Sequence, residues 1–265
     1  MATSVHWVIQ ENQNDLLELR AILQALEGDG HQPHLVTLMK GSEVPTIPDL
    51  PNDVPVVCQG PAFVPRALNY PLLRPGLFFD PALFRWSAYR AAWKEAMLSP
   101  DGRIVELSSA RVLLSDRISA FIRPDSDSKT FDGGIYDAVG LTAATEGTPV
   151  NEMTPVVVAA PVKIEAEWRF FIVNREVVGC SEYRRWGRFS TQGSVPYTVT
   201  DLAVESASCW QPADIYCLDL AATENRIGIV EANCFNASRF YAAGIDRVLR
   251  AVNAHVLARF SSELS

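Results

Sequence analysis

Hydrophobic and polar positions follow two different periods along the first eighty residues. Short apolar runs at residues 4–10 (SVHWVIQ), 34–40 (HLVTLMK) and 54–60 (VPVVCQG) predict β-strands. Between the first two, apolar residues recur every three to four positions across residues 14–30, which predicts a capped amphipathic helix that ends on glycine. This alternation predicts that residues 1–80 form a small Rossmann-like α/β domain.

A second helical pattern follows at residues 81–99. Asp80 is the expected N-cap and Pro81 belongs to the expected first turn. The expected apolar stripe consists of Leu83, Trp86, Tyr89, Trp93 and Met97. We expect this stripe to face the core.

Beyond Gly102 the chain becomes rich in strand patterns, which we assign to a second domain at residues 81–265. Strands are predicted at residues 104–109, 112–114, 120–124, 156–162, 168–173, 176–186, 215–221 and 227–235. The last segment, from about Ser238, is predicted to be helical, with Ile245, Val248, Leu249, Val252 and Val256 along one side.

Charge and composition restrict the classes of partner. The net charge is −8, which argues against a nucleic-acid or anionic-membrane binder because phosphate groups attract positive surfaces. Five cysteines without a C-x-x-C pair predict neither a disulfide framework nor a zinc site. The N-terminus lacks the pattern of a signal peptide and no apolar run has the length of a membrane span, so we expect a cytoplasmic protein.

Residues 165–185 predict a β-hairpin that turns at Asn174 and Arg175. The expected opposite pairs are Arg169 with Cys180, Glu167 with Glu182, and Glu165 with Arg184. The alternation then places Glu165, Glu167, Arg169, Glu182 and Arg184 on one ionic face, and Trp168, Phe170, Ile172, Val177 and Tyr183 on an apolar face. From this hairpin alone, a solvated face with ion pairs and a functional face are equally good interpretations.

A second hairpin is predicted around a turn at residues 223–226. It would bring Asp219 opposite Glu231, with Asn233 on the same face. Two facing carboxylates inside apolar strands need a compensating cation. Because two carboxylates and an amide oxygen are hard ligands, we favour Mg²⁺ over the alternative of an exposed Glu231 and a strand-capping Asp219.

Residues 121–134 (FIRPDSDSKTFDGG) combine a lysine with paired glycines, as phosphate loops do. A Walker-type loop is excluded by the spacing, because Arg123 and Ser128 stand where glycines would be needed before Lys129.

The order of these segments resembles the ATP-grasp superfamily: the Arg-Pro strand end and Lys/Gly loop, the VVVAAPV strand, EWRFFIVNREVVGCSEYR, CLDLA and IVEANCFNAS. The chain is most similar to a small branch related to the amino-acid ligases that extend ribosomal-protein tails. The resemblance implies an ATP-grasp fold, in which two α+β subdomains clasp ATP, preceded by the N-terminal α/β domain.

The resemblance also implies roles for individual residues. Arg169 and Arg184 are the expected catalytic residues, which steady the transferring phosphoryl group. Asp219, Glu231 and Asn233 match metal ligands, and Asn236 and Ser238 are expected to contact substrate. The expected ATP-binding residues are Arg123, Lys129, Gly133, Gly134, Ala160, Val162, Lys163 and Glu165.

The implied function is an ATP- and Mg²⁺-dependent ligase that joins a carboxylate to an amine through an acyl-phosphate. The substrates would be small molecules or peptides. Two alternatives remain at this point: a non-catalytic nucleotide-binding module, and a kinase that stops at phosphoryl transfer.

Overall fold

The N-terminal layer is a three-stranded parallel sheet with one long helix. The computed structural model describes residues 4–13, 15–39, 50–51, 53–67, 73–115, 119–127, 130–191 and 194–263. The layer contains β1 (His6–Gln10), α1 (Leu16–Gly28), β2 (Gln32–Val36) and β3 (Val56–Gln59), in the order β2-β1-β3. Asp15 accepts a hydrogen bond from the backbone N–H of Leu17 at the start of α1. The predicted α/β character of this segment is confirmed.

Two short helices connect this layer to the rest of the chain: α2 (Val64–Ala67) and α3 (Trp86–Trp93). The prediction of one helix over residues 81–99 was therefore too long. Asp80 caps a preceding turn by accepting from the N–H of Ala82, whereas Asp125 accepts from the N–H of Ser87 at the start of α3. The distant Asp125 thus fixes where the helix begins.

The expected apolar stripe is largely confirmed. Trp86, Tyr89, Trp93 and Met97 are buried, but Leu83, which precedes the helix, is 38 % exposed.

The second layer is a four-stranded antiparallel sheet of order β4-β7-β5-β6. It contains β4 (Arg103–Glu106), α4 (Leu107–Ser115), β5 (Ala120–Pro124), β6 (Gly134–Tyr136), α5 (Ala138–Thr145) and β7 (Pro155–Ala159). The strand prediction for residues 112–114 was wrong, because they belong to α4. Leu107, Ala110 and Leu114 are buried at helical spacing against this sheet.

The third layer is a five-stranded antiparallel sheet of order β10-β9-β8-β11-β12. Its elements are β8 (Ala166–Val173), β9 (Glu176–Arg185), β10 (Arg188–Phe189), α6 (Tyr197–Cys209), β11 (Ile215–Ala222), β12 (Ile227–Cys234) and α7 (Ile245–Glu263). Neither α5 nor α6 was predicted. The predicted face of α7 is buried, although the helix begins later than expected.

The N-terminal layer packs on the third sheet through a shared apolar core. Trp7, Ile22, Phe171, Phe235 and Val252 belong to this one cluster of buried side chains. Within the described residues, no helix is long and apolar enough to cross a bilayer. The arrangement leaves the second and third sheets facing each other across clefts, where the predicted site residues lie.

Candidate active site

Three neighbouring strands of the third sheet bring charged side chains into one line. Asp219 on β11 is paired with Arg169 on β8 and, on its other side, with Glu231 on β12. The predicted opposition of Asp219 and Glu231 is confirmed. The backbone N–H of Thr223 donates to the carbonyl of Arg226, which closes the hairpin at the predicted turn.

The carboxylates in this line are held by two arginines and one amide. Arg169 donates to both oxygens of Asp219, through Nε at 2.8 Å and Nη2 at 2.7 Å. Arg123, at the end of β5 in the second sheet, donates to Oε2 of Glu231 at 2.7 Å. Asn233 Nδ2 lies 3.0 Å from Oδ2 of Asp219 and 3.0 Å from Oε1 of Glu231. The site therefore links the two sheets.

Burial sets the ionisation of this group. The Asp219 side chain is 1 % exposed, and this desolvation raises the pKa of its carboxyl, while the charge and hydrogen bonds of Arg169 oppose the rise. The nearby charge of Glu231 acts in the same direction as burial. Asp219 thus depends on Arg169 to remain ionised.

The ionic face of the first hairpin differs from the prediction because β9 contains two register shifts. Arg169 lies opposite Ser181 instead of Cys180, and Glu167 lies opposite Arg184 instead of Glu182. Each shift adds one residue to β9, and an extra residue moves the following side chains to the opposite face of the strand. The faces predicted for Glu182 and Tyr183 were therefore wrong.

Glu182 is paired with Trp168, on the face away from Arg169. Its carboxylate accepts hydrogen bonds from Arg185 and Ser190, so it completes a local network instead of the site.

Tyr183 instead lies at the site. Its hydroxyl donates to Oε2 of Glu167 at 2.9 Å, and Arg184 Nη1 donates to Oε1 of the same carboxylate at 3.1 Å. Glu167 thereby orients both side chains.

These side chains border a charged cleft of about 540 Å³. Its described lining contains three arginines and four carboxylates: Arg123, Arg169, Arg184, Asp132, Glu167, Asp219 and Glu231. The formal charge of that lining is therefore −1. A polyanion in this cleft needs an additional cation.

An apolar slot of about 160 Å³ adjoins the charged cleft, and the two share Phe121, Arg123, Ile164 and Val230. Val157, Ala159 and Ile135 line the slot from the second sheet. Ile135 is 56 % exposed, so this sheet presents an uncovered apolar surface to the slot. Such a slot suits a flat apolar group.

A third cavity, the proline-lined cleft, has a volume of about 460 Å³ and lies on the other side of Arg169. Pro61, Val64, Pro65, Phe79 and Pro81 form one wall, and the end of β12 with the turn that follows it forms another. Arg169 borders both this cleft and the charged cleft. The three cavities together form a path across the site.

A family model for an ATP-grasp domain, the second family of its clade, matches residues 101–251, which is more than half of the chain. The chain belongs to this ATP-grasp family. The superfamily and the fold predicted from the sequence are thus confirmed. A comparison with curated proteins found no match.

Solved structures share the fold of this ATP-grasp protein. A RimK-domain ATP-grasp protein from Sphaerobacter thermophilus has a TM-score of 0.62 at 17 % identity, over 95 % of this chain and 99 % of its own. D-alanine–D-alanine ligase from Bacillus anthracis has a TM-score of 0.61 at 11 % identity, over 99 % and 100 %. The ATP-grasp ligase PsnB, in complex with precursor peptide PsnA2 and AMPPNP, has a TM-score of 0.58 at 13 % identity, over 97 % of both chains.

The site of this ATP-grasp protein has the donor chemistry of a magnesium centre. Among the described residues, no group of three His, Cys, Asp or Glu side chains could hold a metal, so the candidate set depends on the amide of Asn233. That amide directs Nδ2 at both carboxylates. Rotation of the amide would present Oδ1 there, and three oxygen ligands from Asp219, Glu231 and Asn233 suit Mg²⁺.

The ATP-binding residues expected in the glycine loop lie in different surroundings. Gly133 lines the charged cleft, and a Cβ added to it would lie 3.1 Å from Cβ of Arg123. Gly134 begins β6 and lines the apolar slot. Lys129 lies outside the described residues. The close packing at Gly133 gives a physical reason for glycine beside Arg123.

The segment after β7 is only partly directed at the slot. Val162 lines it, and so does Ile164, which the sequence did not single out. Ala160 is exposed, and Lys163 Nζ lies 5.5 Å from the ring centroid of Trp186. The backbone N–H of Glu165 donates to Ala222, which ties the segment to β11. Roles in ATP binding for Ala160, Lys163 and Glu165 stay predictions.

The two expected substrate residues have different environments. Asn236 is fully buried, and its amide bonds the N–H of Phe78 and the carbonyls of Cys58 and Gly76. This placement favours a role in joining β12 to the N-terminal layer over contact with substrate. Ser238 lines the proline-lined cleft and donates to the carbonyl of Cys234.

Tyr241 is a site residue that the sequence analysis missed. Its φ of +54° lies in the left-handed region, which a large side chain rarely adopts. Two neighbours hold this turn: the N–H of Phe240 donates to Glu18, and the N–H of Ala242 donates to Ser181. Strain maintained by contacts on both sides is typical of functional positions.

The strained turn directs the Tyr241 ring at Arg169. The guanidinium carbon lies 5.5 Å from the Tyr241 centroid and 5.6 Å from that of Tyr183, and the two rings are stacked. Because aromatic faces attract cations, both rings help to position Arg169.

Replacing Tyr241 with alanine is expected to weaken binding of a fluorescent Mg-ATP analogue roughly 3- to 30-fold, the value of one cation–π contact. Tyr241→Phe keeps the ring and is expected to bind like the wild type. Equal weakening in both variants would show that the hydroxyl matters instead of the ring. Fluorescence anisotropy measures both affinities.

Proposed function

We propose that this ATP-grasp protein is a Mg²⁺-ATP-dependent ligase that joins a carboxylate to an amine. The observation that carries the proposal is the position of Arg169, which borders both the charged cleft and the proline-lined cleft. The charged cleft would hold the polyphosphate and the apolar slot the adenine. A carboxylate in the proline-lined cleft would then meet the terminal phosphate beside Arg169.

The residues of the chain would act by position and charge. Arg123, fixed by Glu231, and Arg184, fixed by Glu167, would orient the phosphates at the two ends of the cleft. Arg169 would offset the negative charge that develops on the transferring phosphoryl group. Mg²⁺ held by Asp219, Glu231 and Asn233 would supply further positive charge when bound.

The chemistry would proceed in two displacements. An oxygen of the carboxylate attacks the γ-phosphorus, the bond to the β,γ-bridging oxygen breaks, and ADP leaves. The amine nitrogen then attacks the acyl carbon of the mixed anhydride, phosphate leaves, and the nitrogen loses a proton to give the amide.

Three assays test this proposal in order. Saturating Mg-ATP is expected to raise the melting temperature of the pure protein, since a ligand that binds only the folded state stabilises it. ADP release in the presence of a substrate acid would follow, and hydroxylamine would trap the acyl-phosphate as a hydroxamate. A kinase acting on a hydroxyl group would release ADP without hydroxamate. A binding module would show the thermal shift alone.

The adenine assignment predicts a selective effect at Ile135. Ile135→Asp puts a charge into the apolar slot, so affinity for a fluorescent ATP analogue is expected to fall at least tenfold. Val139→Asp is the matched control, because Val139 is an exposed valine on α5, 78 % accessible. Anisotropy titrations compare the two. Equal affinities would place the base elsewhere.

A further inference from the structure

The proline-lined cleft combines an apolar lining with a single internal cation. Among its described lining residues, the charged ones are Arg169 and Asp127. Three prolines together with Val64 and Phe79 supply most of the wall contributed by the first eighty-one residues. The volume, about 460 Å³, is that of an ordinary small-molecule site.

Arg169 determines which end of a ligand is charged. Its Nε and Nη2 bond Asp219, and its Nη1 carries two further N–H donors. Arg169 is buried, with a side chain 11 % exposed, so an anion that reaches it from the proline-lined cleft is largely desolvated. A carboxylate is stable there because the guanidinium compensates its charge.

The remainder of the same ligand faces different surroundings. Away from Arg169, the cleft offers proline rings, a valine and a phenylalanine, which cannot compensate a second charge. A second carboxylate would also be repelled by Asp127. The lining therefore discriminates between a monoacid and a diacid of the same length.

We propose that the proline-lined cleft binds the carboxylate substrate and that this substrate is an acid with an uncharged, apolar body. The inference rests on the proposed ligase function for the identity of the ligand as a substrate. The cleft's preference for such acids is a separate property that binding alone measures.

The test uses hexanoate and adipate, which have equal chain lengths and differ by a second carboxylate. Isothermal titration of the whole protein with saturating Mg-AMPPNP is expected to give at least tenfold tighter binding of hexanoate. Binding of adipate with equal or higher affinity would overturn the proposal, as would no measurable binding of either acid.

Two variants place a second cation on opposite walls. Ala237→Lys modifies the turn after β12, and Pro65→Lys modifies α2 at an exposed position that tolerates the change if the first variant fails to fold. Either is expected to shift the ratio of affinities at least tenfold towards adipate. Ala254→Lys, at an exposed site on α7, is the matched control and should leave the ratio unchanged. An unchanged ratio in a folded cleft variant would overturn the proposal.

The ligase proposal fails separately. If hexanoate binds as expected but no acid supports ADP release or hydroxamate formation, the cleft retains its assigned preference and the catalytic function is rejected.

Discussion

Replacing Arg169 with alanine is expected to lower the free energy of unfolding by about 3–5 kcal/mol and to reduce hydroxylamine-supported ADP release at least 100-fold. The stability is lost because Asp219, whose side chain is 1 % exposed, keeps its buried charge without its partner. The activity is lost because the guanidinium between the charged and proline-lined clefts is gone. Urea denaturation and an ADP-release assay measure the two effects.

A double variant separates these two effects. Arg169→Met combined with Asp219→Leu removes both charges, and apolar replacements of buried ion pairs often restore or increase stability. We therefore expect urea stability to recover while ADP release stays absent. Wild-type turnover in either variant would contradict the role of Arg169.

Replacing Glu231 with glutamine is expected to reduce ADP release about 100-fold and to weaken the dependence of nucleotide affinity on Mg²⁺. Glutamine keeps the shape of the side chain but supplies one neutral oxygen in place of a carboxylate. Since Glu231 adds to the electrostatic stress on Asp219, stability is expected to change less than in Arg169→Ala. Titration of Mg²⁺ at a fixed concentration of fluorescent ATP analogue measures the dependence.

The same substitution at the tip of the hairpin provides the control. Glu224→Gln changes an exposed carboxylate in the turn that connects β11 to β12, so its Mg²⁺ titration should match the wild type. If Glu231→Gln also matches the wild type, the metal is held elsewhere.

The second hairpin illustrates what local sequence can predict. Its turn and the opposition of Asp219 to Glu231 followed from apolar periodicity and turn chemistry within about twenty residues. The bulge at Val230 lies on the turn side of this pair, so it does not change the opposition. The compensating charges were harder to foresee: Arg169 and Arg123 bind these carboxylates, and Arg123 comes from another sheet.

The first hairpin shows why register cannot be read from alternation alone. Two extra residues in β9 changed the faces of Glu182 and Tyr183. A bulge is selected by packing against neighbouring strands and helices, and the alternation pattern carries no signal of it. Likewise, the strand pattern of residues 112–114 gave way to α4, whose buried positions are set by the sheet beneath it.

The sequence by itself determined the α/β class, the strand segments, the family resemblance and the carboxylates of the candidate metal site. Those features depend on local periodicity and on residue types in order. Only the tertiary structure decided that Arg123 reaches Glu231 across 108 positions, that Asn236 lies in the core, and that Tyr241 faces Arg169. The physical reason is that each of these contacts joins elements distant in the chain, and their geometry is fixed by how the three sheets pack.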